Sequence, residues 1–400
     1  AASDVYKRQD HRRSVEMKRV AIILLAIIMV VAMAACGRTE NYDSNPSTQE
    51  LAFPAKGEVP VNEKTVRFLG RYYEADGIYY TNMSCSGFEV CFEGNELKAE
   101  LISEPVDSDH NTYIHVFLDD HYDALDSVKA DGSQDGLEND SRILLKEGRN
   151  IITLAENLEF GVHKITVQKA NQSSLNKLGS VKLLPGDGAI LEPPGAKDKS
   201  ILVIGDSITC GSNNLGEDLP ISYSASEDGL ITMAAIAARQ YDADIEVVAK
   251  NGLYTQMICS TFPENMIKYV DPFNRILEIW DTTLPGRQRD LVIINLGIND
   301  ANVIGGSNGS YTYDQFQADY ITLLKTVRTL YPECYILCTD LSTLANYEKE
   351  AVSEYTKETG DEKISFWKRS TAYSRHPLVS VHKSEAKQLV KKIDKLNIFR

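Results

Sequence analysis

A serine hydroxyl becomes a useful nucleophile only when a neighbouring base takes its proton. Four polar segments of this chain could assemble such a pair. The first is Gly205-Asp206-Ser207-Ile208-Thr209-Cys210-Gly211. The second is Asn251-Gly252-Leu253, and the third is Asn295-Leu296-Gly297-Ile298-Asn299-Asp300. The fourth is Ser374-Arg375-His376-Pro377. Ser207 offers a nucleophile and His376 a base. Acyl transfer also passes through an oxyanion that fixed donors must meet. The Ser207 and Gly252 N–H groups and the Asn299 side-chain amide are candidates for that oxyanion hole. Each segment has a plainer reading as well. Gly205-Asp206-Ser207 alone is a turn, Gly252 a loop glycine, Asn299-Asp300 a helix cap, and His376 a structural or surface histidine. Their order, and the placement of the first three after successive apolar strands, favours the chemistry. Asp206 reads either as an acceptor supporting the nucleophile loop or as a simple turn former. Asp300 reads as support for the Asn299 loop or as a cap. His382 reads as a packing or surface residue. Trp280 and Trp367 read as core or rim packing ahead of sugar stacking.

Such segments need rigid elements behind them. Residues 200–205 and 290–296 are apolar runs of buried parallel-strand type. Residues 244–249 and 334–339 read as further strands, and 230–241, 313–330 and 382–396 as helices. This predicts an α/β domain over 198–400, a parallel sheet with helices on both faces. In such sheets functional groups gather at the C-terminal strand ends. Residues 65–190 differ. Alternation in 87–92, 113–118 and 163–167, with turn clusters between such runs, predicts a β-sandwich of jelly-roll type. Residues 37–64, polar and carrying Pro46, Pro54 and Pro60, read as a linker.

Composition sets outer bounds. The 400 residues are 43% hydrophobic and 25% charged, as in ordinary globular proteins of more than one domain. A formal net charge of −15 argues against a nucleic-acid partner. Met17-Lys18-Arg19 precedes an apolar run over 20–32 and then Met33-Ala34-Ala35-Cys36-Gly37. Residues 17–36 therefore read as a secretory signal, with 1–16 an upstream extension. The cysteine makes the signal resemble that of a bacterial lipoprotein, which implies lipidation at Cys36 and an extracytoplasmic body tethered to a membrane. The other six cysteines lack the paired spacing of a zinc site, so no metal is expected.

The four segments resemble the four blocks of the SGNH/GDSL hydrolase superfamily, carried here by Ser207, Gly252, Asn299 and His376 over residues 200–400. The wider chain resembles carbohydrate esterase family 2, whose members place a small jelly roll before the SGNH domain. Gly70-Arg71-Tyr72-Tyr73, Gly87-Phe88-Glu89-Val90, Asp119, Glu227-Asp228-Gly229-Leu230 and His376-Pro377-Leu378-Val379-Ser380-Val381-His382 carry that likeness. The resemblance implies a cofactor-free serine esterase acting on an acetylated carbohydrate of xylan or mannan type. Many SGNH enzymes carry an Asp three residues before the histidine. Tyr373 stands there in this chain, followed by Ser374 and Arg375. The resemblance then implies a Ser207–His376 dyad, with a backbone carbonyl orienting the imidazole. Arg375 is a second departure, because a neighbouring cation disfavours the imidazolium. Two other readings stay open: a general short-acyl esterase or lysophospholipase, and a degenerate esterase serving as a carbohydrate-binding module.

Overall fold

The computed structural model describes residues 53–130, 137–172, 176–216, 224–256, 268–270, 276–278, 289–306, 309–340, 342–369 and 376–399. The signal-type segment 17–36 with Cys36, and Trp280, Tyr373, Ser374 and Arg375, lie outside these residues. Among the described residues, no helix is long and apolar enough to cross a membrane.

Five parallel strands form one sheet in the order Ala243–Ala249, Lys199–Gly205, Leu291–Asn295, Tyr335–Asp340 and Ile364–Lys368. All of Leu291–Asn295 is buried. The pleat sends alternate side chains to opposite faces, and both faces are covered. Ile201, Val203, Leu291 and Ile293 share a core with the helices Met233–Gln240 and Val379–Leu396. Leu202, Ile204, Val292 and Ile294 share another with the helices Tyr313–Leu330 and Ala345–Thr359. In the last helix Ala386, Leu389, Val390 and Ile393 recur at helical spacing and are buried. Each large aliphatic side chain buried this way contributes about 1.5–3 kcal/mol.

The boundaries differ from the sequence reading in places. The helix expected at 230–241 begins at Met233, because Gly229–Ile231 is a tighter 3-10 turn capped by the Asp228 carboxylate. The last helix begins at Val379, three residues earlier than expected. The helix Ala345–Thr359 and the strand Ile364–Lys368 had no counterpart in the sequence reading.

Earlier in the chain lie two larger antiparallel sheets and the short antiparallel pair Lys129–Ala130 with Leu137–Glu138. One has the order Gly148–Ala155, Leu97–Pro105, Asn176–Leu184, Ile78–Thr81, Tyr72–Ala75. The other has the order Ile143–Leu144, Tyr113–Leu118, Gly161–Lys169, Gly87–Gly94, Ala189–Ile190. Phe88, Val90, Phe92, Ile165 and Val167 of the second sheet share one core with Leu97, Ala99, Leu101, Leu178 and Leu183 of the first. That arrangement is compatible with a β-sandwich. The linker expected over 37–64 needs correction at its end. Val59–Pro60 pairs with Leu183 and Lys182, Ala55 bridges Ile190, and Ala55, Val59 and Val61 are buried. Pairing with an existing edge satisfies this short segment without any long periodic pattern.

The antiparallel part is joined to the α/β part by polar contacts, several of them part-buried. The Arg67 guanidinium bridges Glu89 and, at 2.9 Å, Asp244. Arg71 and Arg289 both pair with Glu246. Arg142 donates to the carbonyls of Glu227 and Ala225 at 2.8 and 2.9 Å. His115 Nε2 lies 2.8 Å from the Asp228 carboxylate.

Candidate active site

The strand Lys199–Gly205 has its sequence successors on either side of it, Ala243–Ala249 and Leu291–Asn295. The chain reverses direction there, which opens a crevice beyond the C-terminal strand ends. Three of the four polar segments leave from those three ends.

Ser207 opens the one-turn helix Ser207–Cys210 and is nearly buried. Asp206 caps this turn by accepting the Ile208 N–H at 2.9 Å. Asp206 is thus the cap of the turn that carries Ser207. Burial pushes its carboxyl up to about 7, with help from Asp340 and Asp300. Gly205 must be glycine, because a Cβ there would fall on the Thr209 hydroxyl. That hydroxyl accepts from the Asn295 amide at 2.8 Å, and Asn295 Oδ1 accepts from Arg369 at 2.6 Å. Arg369 also pairs with buried Glu385 at 3.0 Å. Local spacing does not single out Asn295 or Arg369, because the contacts of Asn295 with Thr209 and Arg369 span 86 and 74 residues.

His376 Nε2 sits 2.7 Å from Ser207 Oγ. Burial holds its pKa below the ordinary imidazole value, which favours the neutral, proton-accepting form. The main chain that follows is tied to the nucleophile segment, since the Val379 N–H donates to the Asn214 carbonyl at 3.1 Å. His382 is a buried packing residue. Its Nδ1 accepts the Met233 N–H at 3.1 Å, and burial pushes its pKa down to about 3. Trp367 packs against the core of the α/β part.

Gly252 is the third residue of a turn closed by the Leu253 N–H on the Lys250 carbonyl at 3.1 Å. Its φ of +73° suits a turn position that favours glycine. Asn299 and Asp300 lie inside the helix Ile298–Gly306 rather than capping it. Asn299 Nδ2 donates to the Leu253 carbonyl at 3.0 Å. The amide nitrogen carries two hydrogens, so this bond engages one of them. Asp300 is fully buried and accepts the Thr255 N–H at 2.8 Å and its hydroxyl at 3.2 Å. Burial pushes its carboxyl up to about 6. The Asn299 segment therefore supports the Gly252 loop through two separate side chains. Among the described residues, no cluster of three or more His, Cys, Asp or Glu could hold a metal ion.

Comparison with known proteins gives the following likenesses. Residues 203–389 match the model of the GDSL-like lipase/acylhydrolase family. The chain is 28% identical over 262 residues to the cellulase/esterase CelE of Acetivibrio thermocellus, covering 60% of this chain but 31% of that protein. It is 22% identical over 381 residues to the acetylxylan esterase / glucomannan deacetylase of Cellvibrio japonicus, covering 89% of this chain and 93% of that protein. A family two carbohydrate esterase from Clostridium thermocellum, solved in complex with cellohexaose, shares the fold. It has a TM-score of 0.65 at 23% identity, covering 84% of this chain and all of that one. Residues 203–389 are a domain of the GDSL-like lipase/acylhydrolase family.

Proposed function

We propose that this chain is a carboxylic ester hydrolase that removes O-acetyl groups from a xylan- or mannan-type carbohydrate through an acetyl-enzyme. The observation that carries this reading is the 2.7 Å contact between Ser207 Oγ and His376 Nε2. Ser207 Oγ attacks the acetyl carbonyl while His376 takes its proton. The Ser207 and Gly252 N–H groups and the Asn299 amide receive the oxyanion. His376 then gives its proton to the departing sugar hydroxyl. Water attacks the acetyl-enzyme, again passing its proton to His376, and acetate leaves with Ser207 restored. The acetyl specificity is supported by the acetylxylan esterase / glucomannan deacetylase relative, whose match runs nearly end to end on both chains. With Tyr373 at the position where many relatives carry Asp, Ser207 and His376 act as a dyad. In the same reading the two antiparallel sheets form a jelly roll ahead of the hydrolase domain. Residues 17–36 direct export, with lipid attached at Cys36.

Acetate release tests the proposal. The chain from residue 37 should release acetate from acetylated xylan, acetylated glucomannan and an aryl acetate. No release from any of the three would sink the esterase reading. Release from the aryl acetate alone would favour a general short-acyl esterase.

The pH profile follows from His376. Its pKa is lowered, so the neutral base survives to more acid pH than a free imidazole, whose pKa is about 6.5. The acid limb of kcat/KM is therefore expected to have its midpoint below that value. A midpoint at or above it would remove His376 from the role of buried base.

A further inference from the structure

We infer that Gln172, contributed by the antiparallel part of the chain, positions the oxyanion loop of the hydrolase domain, so that both parts build one active site. This rests on the esterase reading above.

Gly252 is exposed, and a Cβ built on it would meet nothing within 4 Å. Packing against the glycine therefore does not aim its N–H. The Gly252 N–H lies in the peptide plane that begins at Asn251, so contacts that hold Asn251 anchor one end of that plane. Two of the contacts that hold Asn251 lead out of its own loop. Its main-chain N–H donates to Gln172 Oε1 at 3.2 Å. Its side-chain Oδ1 lies 2.8 Å from the Ser212 hydroxyl. The other end of the Gln172 carboxamide donates to Glu227 Oε1 at 2.9 Å, and Ser212 Oγ lies 3.0 Å from the same oxygen. Gln172, Glu227, Ser212 and Asn251 thus close a ring. The Ser212 N–H also donates to the Ser207 carbonyl at 2.9 Å, which ties the ring to the nucleophile turn.

Gln172 reaches this place because the strand Gly161–Lys169 ends in a bend held from both sides. Lys169 Nζ donates to the carbonyls of Asn171 and Gln172, each at 2.9 Å. Asn171 Nδ2 donates to the Ser224 carbonyl at 2.9 Å, and its Oδ1 accepts the Tyr113 N–H at 2.6 Å. Gln172 is 1% exposed, so a missing partner is not replaced by bulk water. The charged and titratable groups bearing on Glu227 are Lys169, Arg142 and Cys210. Burial pushes Glu227 up to about 7.

The test compares Gln172→Ala and Gln172→Glu with the unmodified full chain on an aryl acetate. A small displacement at an active site can cost about 100-fold in rate. Gln172→Ala should lower kcat by about 10- to 100-fold and leave KM within about twofold. Gln172→Glu keeps the acceptor for the Asn251 N–H but sets a second carboxylate against Glu227. One proton shared between the two carboxyls restores the ring. Its kcat relative to the unmodified chain should therefore rise as pH falls from about 8 to about 5.5. Arg67→Ala, which breaks the ion pair with Asp244 at the opposite end of the strand Ala243–Ala249, should lower the melting temperature and leave kcat unchanged. A folded Gln172→Ala with kcat within twofold would overturn the inference. So would a Gln172→Glu profile parallel to the unmodified one, or failure of both variants to fold. If the unmodified chain releases no acetate, the esterase reading fails separately. Labelling of Ser207 by a fluorophosphonate then decides: tenfold slowing in Gln172→Ala supports positioning, and an equal rate refutes it. No labelling of the unmodified chain would overturn both.

Discussion

Ser207→Ala and His376→Ala are each expected to lower kcat for acetate release by at least about 1,000-fold, and the double variant to be no slower than the worse single one. On the proposed mechanism the two side chains act as a unit. Without the hydroxyl, His376 has nothing to deprotonate. Without the imidazole, the hydroxyl stays a weak nucleophile and the leaving oxygen departs without a proton. The 2.7 Å separation is already within reach for proton transfer, so no rearrangement is needed to bring the pair together. On the proposed mechanism the oxyanion donors survive in both variants and still stabilise attack by water. Ser207 is held by main-chain contacts and the Asp206 cap, so Ser207→Ala should leave the melting temperature nearly unchanged. Steady-state rates on an aryl acetate, with thermal unfolding of each variant, check this. His376→Ala retaining a tenth of the unmodified kcat would make His376 a bystander. Multiplicative losses in the double variant would mean that the two residues serve separate steps.

Much of this site is legible in the sequence because its parts sit in short turns after apolar strands. Residues 200–205 are a continuous buried run, and the polar turn that follows stands out against it. The partners of those turns are harder to see. Gln172 meets Glu227 55 residues away and Asn251 79 residues away, and no local spacing encodes such pairs. The helix Ala345–Thr359 escapes for another reason. It has no side-chain cap at Leu344, and a glutamate, Glu348, occupies a fully buried position on its inner face. Burial raises the Glu348 pKa well above the ordinary carboxylate value, with Asp340 and Asp300 adding to the effect. A protonated acid can sit in a core where a pattern of charged letters predicts a solvent face. Residues 55–61 were hidden by shortness: two paired residues and one bridge give no alternation long enough to read. Asn299 and Asp300 show the converse. Their residue types suggested a cap, and the structure turns both sideways onto the loop between Leu253 and Thr255.

Asn299→Ala is expected to lower kcat by about 100- to 1,000-fold, the usual cost of one oxyanion donor, while KM changes by less than about threefold. In the proposed role the donor is worth this much because it is fixed before charge develops on the substrate oxygen. Its fixing is visible: one amide hydrogen is spent on the Leu253 carbonyl at 3.0 Å, which sets the plane in which the second points. The substitution removes that tether as well as the donor, so the two effects need separation. Asp300 holds the same loop independently through the Thr255 N–H and hydroxyl. The loop should therefore survive, and the melting temperature of Asn299→Ala should fall by no more than a few degrees. Asn299→Asp supplies the sharper contrast. It preserves size but offers a carboxylate to an oxyanion, so its kcat should be no higher than that of Asn299→Ala above the ordinary aspartate pKa of about 3.9. Losses that follow unfolding rather than kcat, or an Asn299→Asp variant with near-normal turnover, would reduce Asn299 to a tether of the Leu253 loop. The oxyanion would then rest on the Ser207 and Gly252 N–H groups, and the ring around Asn251 would carry more of the catalysis than the Asn299 helix.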